Sequence, residues 1–386
     1  MSFRFFIAKI LGSTFFLVLF FGIKEKEHIY YFFQKILQNW FRCVILIVGK
    51  VLIVVSRIAI LGSGSWGCAL AHTFSGRNEV IIWSYFPEET ADLMRDRENK
   101  KFLPGVILNE NVTFTSNMEE AMADSDFVVF AVPSFAIRST AKTVATLFDA
   151  QKQIAVCVAK GMEEETLFTL SEVISDELPR GSHVCALLGP THAEEVGRDL
   201  PTTIVAACEN EEVSLAVQYA FMNENFRIYT STDRKGVELG GTVKNVIALC
   251  AGISDGCGFG DNAKAAIMTR GMYEIAKLGV AMGGKLETFY GLSGMGDLIV
   301  TCTSMHSRNR RCGILIGKGM SPEDAMREVN MVVEGIKCLK AVKKASEQFK
   351  VSMPIINEAY QIVYEGKNPK ESASGLMMRD KRSEQH

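Results

Sequence analysis

Lys244 lies inside LGGTVKNVIALCAG (Leu239–Gly252), a stretch with the periodicity of a buried helix. Burying an unpaired ammonium is costly, or else it depresses the pKa. Such a lysine either snorkels to solvent or occupies a pocket where it exchanges protons near neutral pH. Val243, Val246, Ile247 and Cys250 form one apolar face; Lys244, Ala248 and Ala251 line another, with room for the side chain but no obvious carboxylate partner. A second lysine, Lys160, closes the apolar run IAVCVAKG (Ile154–Gly161), at a strand end where either ligand contact or ordinary surface exposure is open to it. Asp297 follows the glycine-rich turn of GLSGMGD. Downstream, Ser307-Arg308-Asn309-Arg310-Arg311 forms a compact donor cluster. Guanidinium forks suit phosphate oxygens, and Ser and Asn add neutral donors, although a solvated basic loop has the same composition. Met305 and His306 offer nothing distinctive.

Near residue 60 the sequence could cradle a phosphate. Ile58–Leu61 is a short apolar run, Gly62-Ser63-Gly64-Ser65-Trp66-Gly67 follows, and a helix-like stretch continues to about Ser75. This G-x-G-x-x-G stands between a strand and a helix. Gly62 permits the tight turn, Gly64 admits a pyrophosphate, and Gly67 allows close helix–strand packing. The helix N-terminus then presents free N–H groups to the anion. The second strand, Glu79–Trp83, is followed by Ser84-Tyr85-Phe86. No acid stands there for a ribose 2′-hydroxyl, and no arginine for a 2′-phosphate. Cofactor choice therefore stays open, with a lean to NADPH or to use of both forms.

Positioning these residues requires two kinds of architecture. Apolar runs at Phe127–Pro133, Ile154–Gly161 and from Val184 each end in polar or turn residues: Pro133-Ser134, Lys160-Gly161 and Gly189-Pro190-Thr191. They alternate with helical stretches at Met118–Ala123 and Thr166–Glu177, which predicts a mainly parallel, doubly wound α/β sheet. From about Asp233 helical periodicity takes over, at Val237–Gly252, Ala263–Gly279, Ser321–Asn330, Gly335–Gln348 and Ile355–Tyr364.

The bulk composition limits the alternatives. With 386 residues the chain has length for two or three domains, and its formal charge of −2 argues against a general nucleic-acid binder. Its 10 cysteines are scattered without a CxxC or zinc spacing, so no metal site is expected and a reducing compartment suits them. Residues 1–55 stand apart: Ile10–Ile23 is apolar but short for a membrane span, and a second apolar run, Cys43–Val55, is broken by Lys50. This extension reads as a membrane anchor or uncleaved signal, as a targeting segment, or as a mis-assigned start.

Taken in order, GSGSWG, NKKFLPG, AKGME, GPTHAEE, ELGGTVKNVIALCAGISDGCGFGDNAKAAIMTRG, GLSGMGDLIVTCTSMHSRNRRCG and VVEG give residues 57–379 a resemblance to the bacterial-type NAD(P)-dependent glycerol-3-phosphate dehydrogenases. The resemblance implies a Rossmann domain over 56–232 and an all-α substrate domain of the phosphogluconate-dehydrogenase-like type over 233–380, with a tail at 381–386 and the active site between them. It implies Lys244 as proton acceptor, Lys160 touching cofactor and substrate, and Asp297 holding the substrate or a lysine. Gly189 and Thr191 match a substrate-binding GP[ST] turn, and Asn245, Ser307, Arg308 and Asn309 complete the substrate contacts, the last two as a phosphate clamp. Cofactor contacts fall on Gly62, Gly64, Ser65, Trp66, Gly67, Tyr85, Pro133, Lys160, Ala193, Arg308, Val332 and Glu334. Tyr85 stands where a basic residue is usual. NADPH or NADH would serve as cofactor and dihydroxyacetone phosphate or glycerol 3-phosphate as substrate, with the product feeding phospholipid synthesis. A cytoplasmic homodimer is implied, without nucleic acid, and membrane contact would run only through residues 1–55. Rival readings are another hydroxy-acid or phosphogluconate-type dehydrogenase on the same fold, a non-catalytic NAD(P)-binding sensor, and a membrane-attached form of the same enzyme.

Overall fold

Strands covered on both faces read as unbroken apolar runs, as FVVF and IAVC do in the middle of the eight-stranded central sheet. The structure, a computed structural model, describes residues 44–48, 51–381, 383 and 384. The apolar run Ile10–Ile23 lies outside them. Part of the second run forms an antiparallel ribbon, β1 (Val44–Val48) with β2 (Val51–Val55).

The sheet comprises β3 (Arg57–Leu61), β4 (Glu79–Trp83), β5 (Val112–Thr115), β6 (Phe127–Phe130), β7 (Ile154–Cys157), β8 (His183–Leu188), β9 (Thr202–Ala207) and β10 (Phe226–Ser231). Their order is β10-β9-β8-β7-β6-β3-β4-β5, and every neighbouring pair is parallel except β8 with β9. The order reverses between β3 and β6, so a crevice opens beyond their carboxyl ends, where ligands bind in such sheets. Helices α1 (Ser65–Phe74), α2 (Pro87–Asp96), α3 (Met118–Met122), α4 (Ile137–Ala145), α5 (Leu170–Glu177), α6 (Ala193–Val196) and α7 (Glu211–Phe221) connect the strands. Leu61, Val128, Phe130, Ile137, Val144, Val173 and Ile174 share one core on the sheet. Helix α5 starts later than the expected Thr166: Leu167 adopts φ 60°, and Thr169 caps the helix in a reciprocal box with Glu172.

Beyond Ser231 every further element is helical. These are α8 (Arg234–Cys257), α9 (Gly260–Ala281), α10 (Leu286–Phe289), a π-helical turn at Leu292–Gly296, α11 (Asp297–Thr303), α12 (Arg308–Gly317), α13 (Pro322–Val329), α14 (Glu334–Gln348), α15 (Pro354–Tyr364) and α16 (Pro369–Met377). Helix α8 is buried continuously from Gly236 to Ser254. By length and composition it could cross a membrane, but it is wrapped by the protein and serves as the core helix. Leu239, Val243, Val246 and Ile247 pack there with Ile275, Leu298, Leu339 and Ile356.

The donor cluster at Ser307 opens helix α12 instead of a loop. Gly252 and Gly256 on α8 face Gly313 and Gly317 on α12 at matching four-residue intervals. A Cβ on Gly252 would lie 2.2 Å from the Arg310 carbonyl oxygen, and one on Gly313 2.2 Å from that of Leu249. The two backbones therefore touch, and Arg310 fastens them through Asp255 at 2.7 Å.

Candidate active site

A cavity of about 900 Å³ opens at the crevice between sheet and helices. At its sheet end, Gly62 turns the chain with φ 127°, and a Cβ there would lie 2.8 Å from the Ala131 backbone. A Cβ on Gly67 would come within 2.0 Å of the Gly62 oxygen, so Gly67 sits behind the wall as a packing residue. Gly64 has no atom within 4 Å of such a position and faces open space. It also caps α1 without a side-chain bond, leaving first-turn N–H groups free for an anion. Ser65, Trp66, Tyr85 and Pro133 line this end. Tyr85 is 74% exposed and meets Trp83 and Phe86 edge to face. The volume, the uncapped helix end and the open glycine fit a nicotinamide dinucleotide.

Helix α2 adds a group that the sequence pattern misses. Ser63 and Ser84 both donate to Glu89 Oε2, at 2.7 and 3.1 Å, and their hydroxyls lie 2.8 Å apart. An acid thus reaches the end of β4 after all, brought there by the first turn of the following helix. Glu89, Ser63 and Ser84 line the cavity.

On the floor, two lysines share one carboxylate. Lys244 on α8 is 4% exposed, and Asp297, at the start of α11, is 1% exposed. Lys244 Nζ donates to Asp297 Oδ1 at 2.8 Å and to Thr301 Oγ1 at 2.6 Å. Thr301 Oγ1 in turn donates to the Asp297 carbonyl at 2.6 Å, one helical turn back. Lys160, beyond β7, donates to Asp297 Oδ2 at 2.6 Å and to the Gly189 carbonyl at 3.0 Å. Burial pushes the Lys244 pKa down to about 8; Asp297 opposes that shift and the Lys160 charge adds to it. Burial works against the Asp297 charge too, but the two ammonium groups outweigh it and hold the carboxyl below its ordinary range. The carboxylate partner that Lys244 lacks in its own stretch is therefore supplied from another helix. Of the two roles open to Asp297, the geometry supports holding the lysines. Its oxygens are committed to them, and it stands behind the cavity wall that Lys160, Lys244 and Thr301 form.

At the helical end the first turn of α12 faces the cavity. Ser307 caps it by accepting from Arg310 N at 3.2 Å, and Ser307, Arg308 and Asn309 line the wall. Asn309 donates to Asn245 Oδ1 at 3.0 Å and accepts from Gly335 N at 2.8 Å, joining α8, α12 and α14. Burial lowers the Arg308 pKa, and the Glu334 carboxylate counters it. Glu334 spans the crevice and accepts from Ser134 Oγ at 2.7 Å. Arg310 belongs to the α8 contact, and Arg311 is not among the lining residues. Thr191, Ala193 and Val332 line the cavity, whereas Gly189 lies behind it and presents its carbonyl to Lys160. His306, unremarkable in sequence, stands on the rim with its ring centroid 5.7 Å from that of His192. Neither Thr301 nor Glu89 stands out in a sequence motif as a site residue, whereas Ser134 closes the apolar run that ends in Pro133-Ser134. Of the first two, Thr301 alone has a local signal, four residues after Asp297 on a helical pattern. No cluster of three or more potential metal ligands occurs among the described residues.

Comparison with known proteins agrees with this geometry. Two family profiles match, the N-terminal and C-terminal parts of NAD-dependent glycerol-3-phosphate dehydrogenase, over residues 57–214 and 233–374. A glycerol-3-phosphate dehydrogenase [NAD(P)+] of Fusobacterium nucleatum is 50% identical over 331 residues, 85% of this chain and 98% of that protein. One from Lactobacillus delbrueckii subsp. bulgaricus is 50% identical over 335 residues, 85% of this chain and 99% of its own. The crystal structure of glycerol-3-phosphate dehydrogenase from Coxiella burnetii superposes with a TM-score of 0.80 at 34% identity, covering 84% of this chain and 99% of that one. The chain belongs to the NAD-dependent glycerol-3-phosphate dehydrogenase family.

Proposed function

We propose that the protein interconverts dihydroxyacetone phosphate and glycerol 3-phosphate with a nicotinamide dinucleotide, using Lys244 as the proton-transfer group. The observation that carries this reading is the Lys160–Asp297–Lys244 arrangement on the floor of a cavity whose other ends are two helix N-termini. Bound nicotinamide would supply or accept the hydride. The residues of the chain handle the oxygen and the phosphate. Asp297 and Thr301 take two of the hydrogen-bonding positions on Lys244 Nζ and leave the third for the cavity. In the ammonium form that position is a proton, given to the ketone oxygen as it becomes an alcohol. In the neutral form it is a lone pair, which accepts the alcohol proton in the reverse direction. Lys160, with two positions likewise engaged, polarises the same oxygen. Arg308, Asn309 and the α12 N-terminus hold the phosphate.

This reading divides the chain into a cofactor part, 56–232, and a substrate part, 233–380. It makes the protein a cytoplasmic homodimer that supplies glycerol 3-phosphate to phospholipid synthesis, with any membrane contact confined to residues 1–55. Support for a reducing compartment comes from the cysteines, which are free thiols and buried except for Cys257 among those described. Sedimentation of the purified chain and fractionation of cells check assembly and location. The reaction is tested by following loss of NADPH or NADH absorbance with dihydroxyacetone phosphate. Substrate-dependent oxidation is expected; a folded protein inert with both cofactors would overturn the assignment.

A further inference from the structure

We infer that Glu89 is the group that selects the cofactor, and that it selects NADH over NADPH. This rests on the dinucleotide-binding reading above and names which dinucleotide the site takes. Three observations converge. First, Glu89 stands where the adenosine ribose of a dinucleotide must lie: beside the pyrophosphate turn, through Ser63 Oγ at 2.7 Å, and beside the end of β4, through Ser84 Oγ at 3.1 Å. In sheets of this kind a carboxylate at that corner accepts the ribose hydroxyls, and a 2′-phosphate there would meet its charge. Second, both serine bonds go to Oε2. The carboxylate is therefore held in place through one oxygen, while the residue lines the cavity. Third, the segment that follows β4 offers no cation to a phosphate, and Lys101, the basic residue near the glycine turn, lies over the Phe102 ring. The segment Ser84-Tyr85-Phe86-Pro87-Glu88-Glu89 contains no basic residue. The cations that line the cavity lie elsewhere: Lys160, Lys244 and Arg308 at the reacting end, and Arg327 and Lys337 on the helical wall, with Arg327 paired to Asp324 at 3.0 Å.

This inference departs from the lean toward NADPH, or toward use of both forms, that the acid-free Ser84-Tyr85-Phe86 suggests. The acid comes from five residues beyond Ser84, delivered by the first turn of α2.

The test is a fluorescence titration of the full-length protein with NADH and with NADPH, in the absence of substrate, alongside steady-state kinetics with dihydroxyacetone phosphate. The native chain is expected to bind NADH at least tenfold more tightly than NADPH. Glu89→Gln can keep an oxygen facing the serines yet carries no charge, and it should shrink that ratio about tenfold, chiefly by tightening NADPH. Equal weakening of both cofactors would reduce Glu89 to a support for the glycine turn and overturn the inference, as would native preference for NADPH. The titration needs no turnover. A chain that prefers NADH but ignores dihydroxyacetone phosphate would sink the proposed reaction and leave the cofactor inference standing. A chain that binds neither cofactor would sink both.

Discussion

At the scale of single residues, the chemistry depends on where one proton sits. Lys244 has a pKa pushed down to about 8, so near neutral pH it can both donate and accept. With Lys244 as the proposed proton-transfer group, glycerol 3-phosphate oxidation would use the free amine and should rise with pH through about 8, while ketone reduction would use the ammonium and should fall over the same range. Lys244→Ala should lower kcat about 10²- to 10⁴-fold, the usual contribution of a positioned acid–base group, with little change in cofactor affinity by titration. Normal turnover in that variant would refute the assignment. Asp297→Asn should behave differently. It removes the charge that raises the Lys244 pKa, so the oxidation limb should move to lower pH as well as falling in height. An unmoved limb would show that Asp297 does not tune the lysine. The two lysines were legible in the sequence because each is out of place in an apolar run. Their partnership was not, since Asp297 lies 53 residues from one and 137 from the other. Glu89 was hidden for a related reason: a turn folds it back onto a strand end that reads as neutral.

At the scale of elements, the cavity-facing turn of α12 is placed by a glycine seam rather than by side-chain packing. Gly313→Ala would press a methyl against the Leu249 carbonyl oxygen and, 2.8 Å away, the Ile253 nitrogen. Overpacking of this kind costs about 1–3 kcal/mol, and here the strain falls between backbones that cannot rotate aside. The variant should melt earlier and show a raised KM for dihydroxyacetone phosphate, with cofactor affinity by titration nearly unchanged. Melting and KM both at native values would mean that α12 has slack against α8. Parallel strands were readable because burial on both faces makes them apolar throughout, as in IAVC and FVVF. Helix α12 was not, because RNRRCGILIG combines charges and glycines that only a neighbouring backbone explains. The reversal of β9 against β8 was equally invisible, since an apolar run carries no sign of its direction.

At the scale of the whole molecule, buried carboxyls make stability depend on pH. Burial pushes Glu274 up to about 7 from its ordinary 4.5, while it accepts bonds from Ile355 N and Ile356 N at the start of α15. The folded chain therefore keeps a proton that the unfolded chain has released, and stability falls as pH rises from about 4.5 to about 7. Asp126, raised to about 6 chiefly by burial, adds in the same direction. Urea midpoints should decline across that window, and Glu274→Gln should flatten the decline by on the order of 3 kcal/mol. An identical slope in the variant would remove Glu274 from the account. The reversed strand pair has a further consequence for how the two halves of the molecule are joined. Because β9 and β10 run against β8, the chain leaves the sheet at the edge opposite the crevice, and α8 must climb back past the sheet. From Arg234 to Lys244 that climb is about 15 Å at 1.5 Å per residue, close to the height of a five-residue strand. Gly241 accordingly lies level with the upper end of β8, beside Leu188, and Lys244 emerges less than one turn above it. The helix works as a ruler zeroed at the foot of the sheet. Adding or deleting one residue below Lys244 would swing the amine by about 100° around the helix axis, away from Asp297.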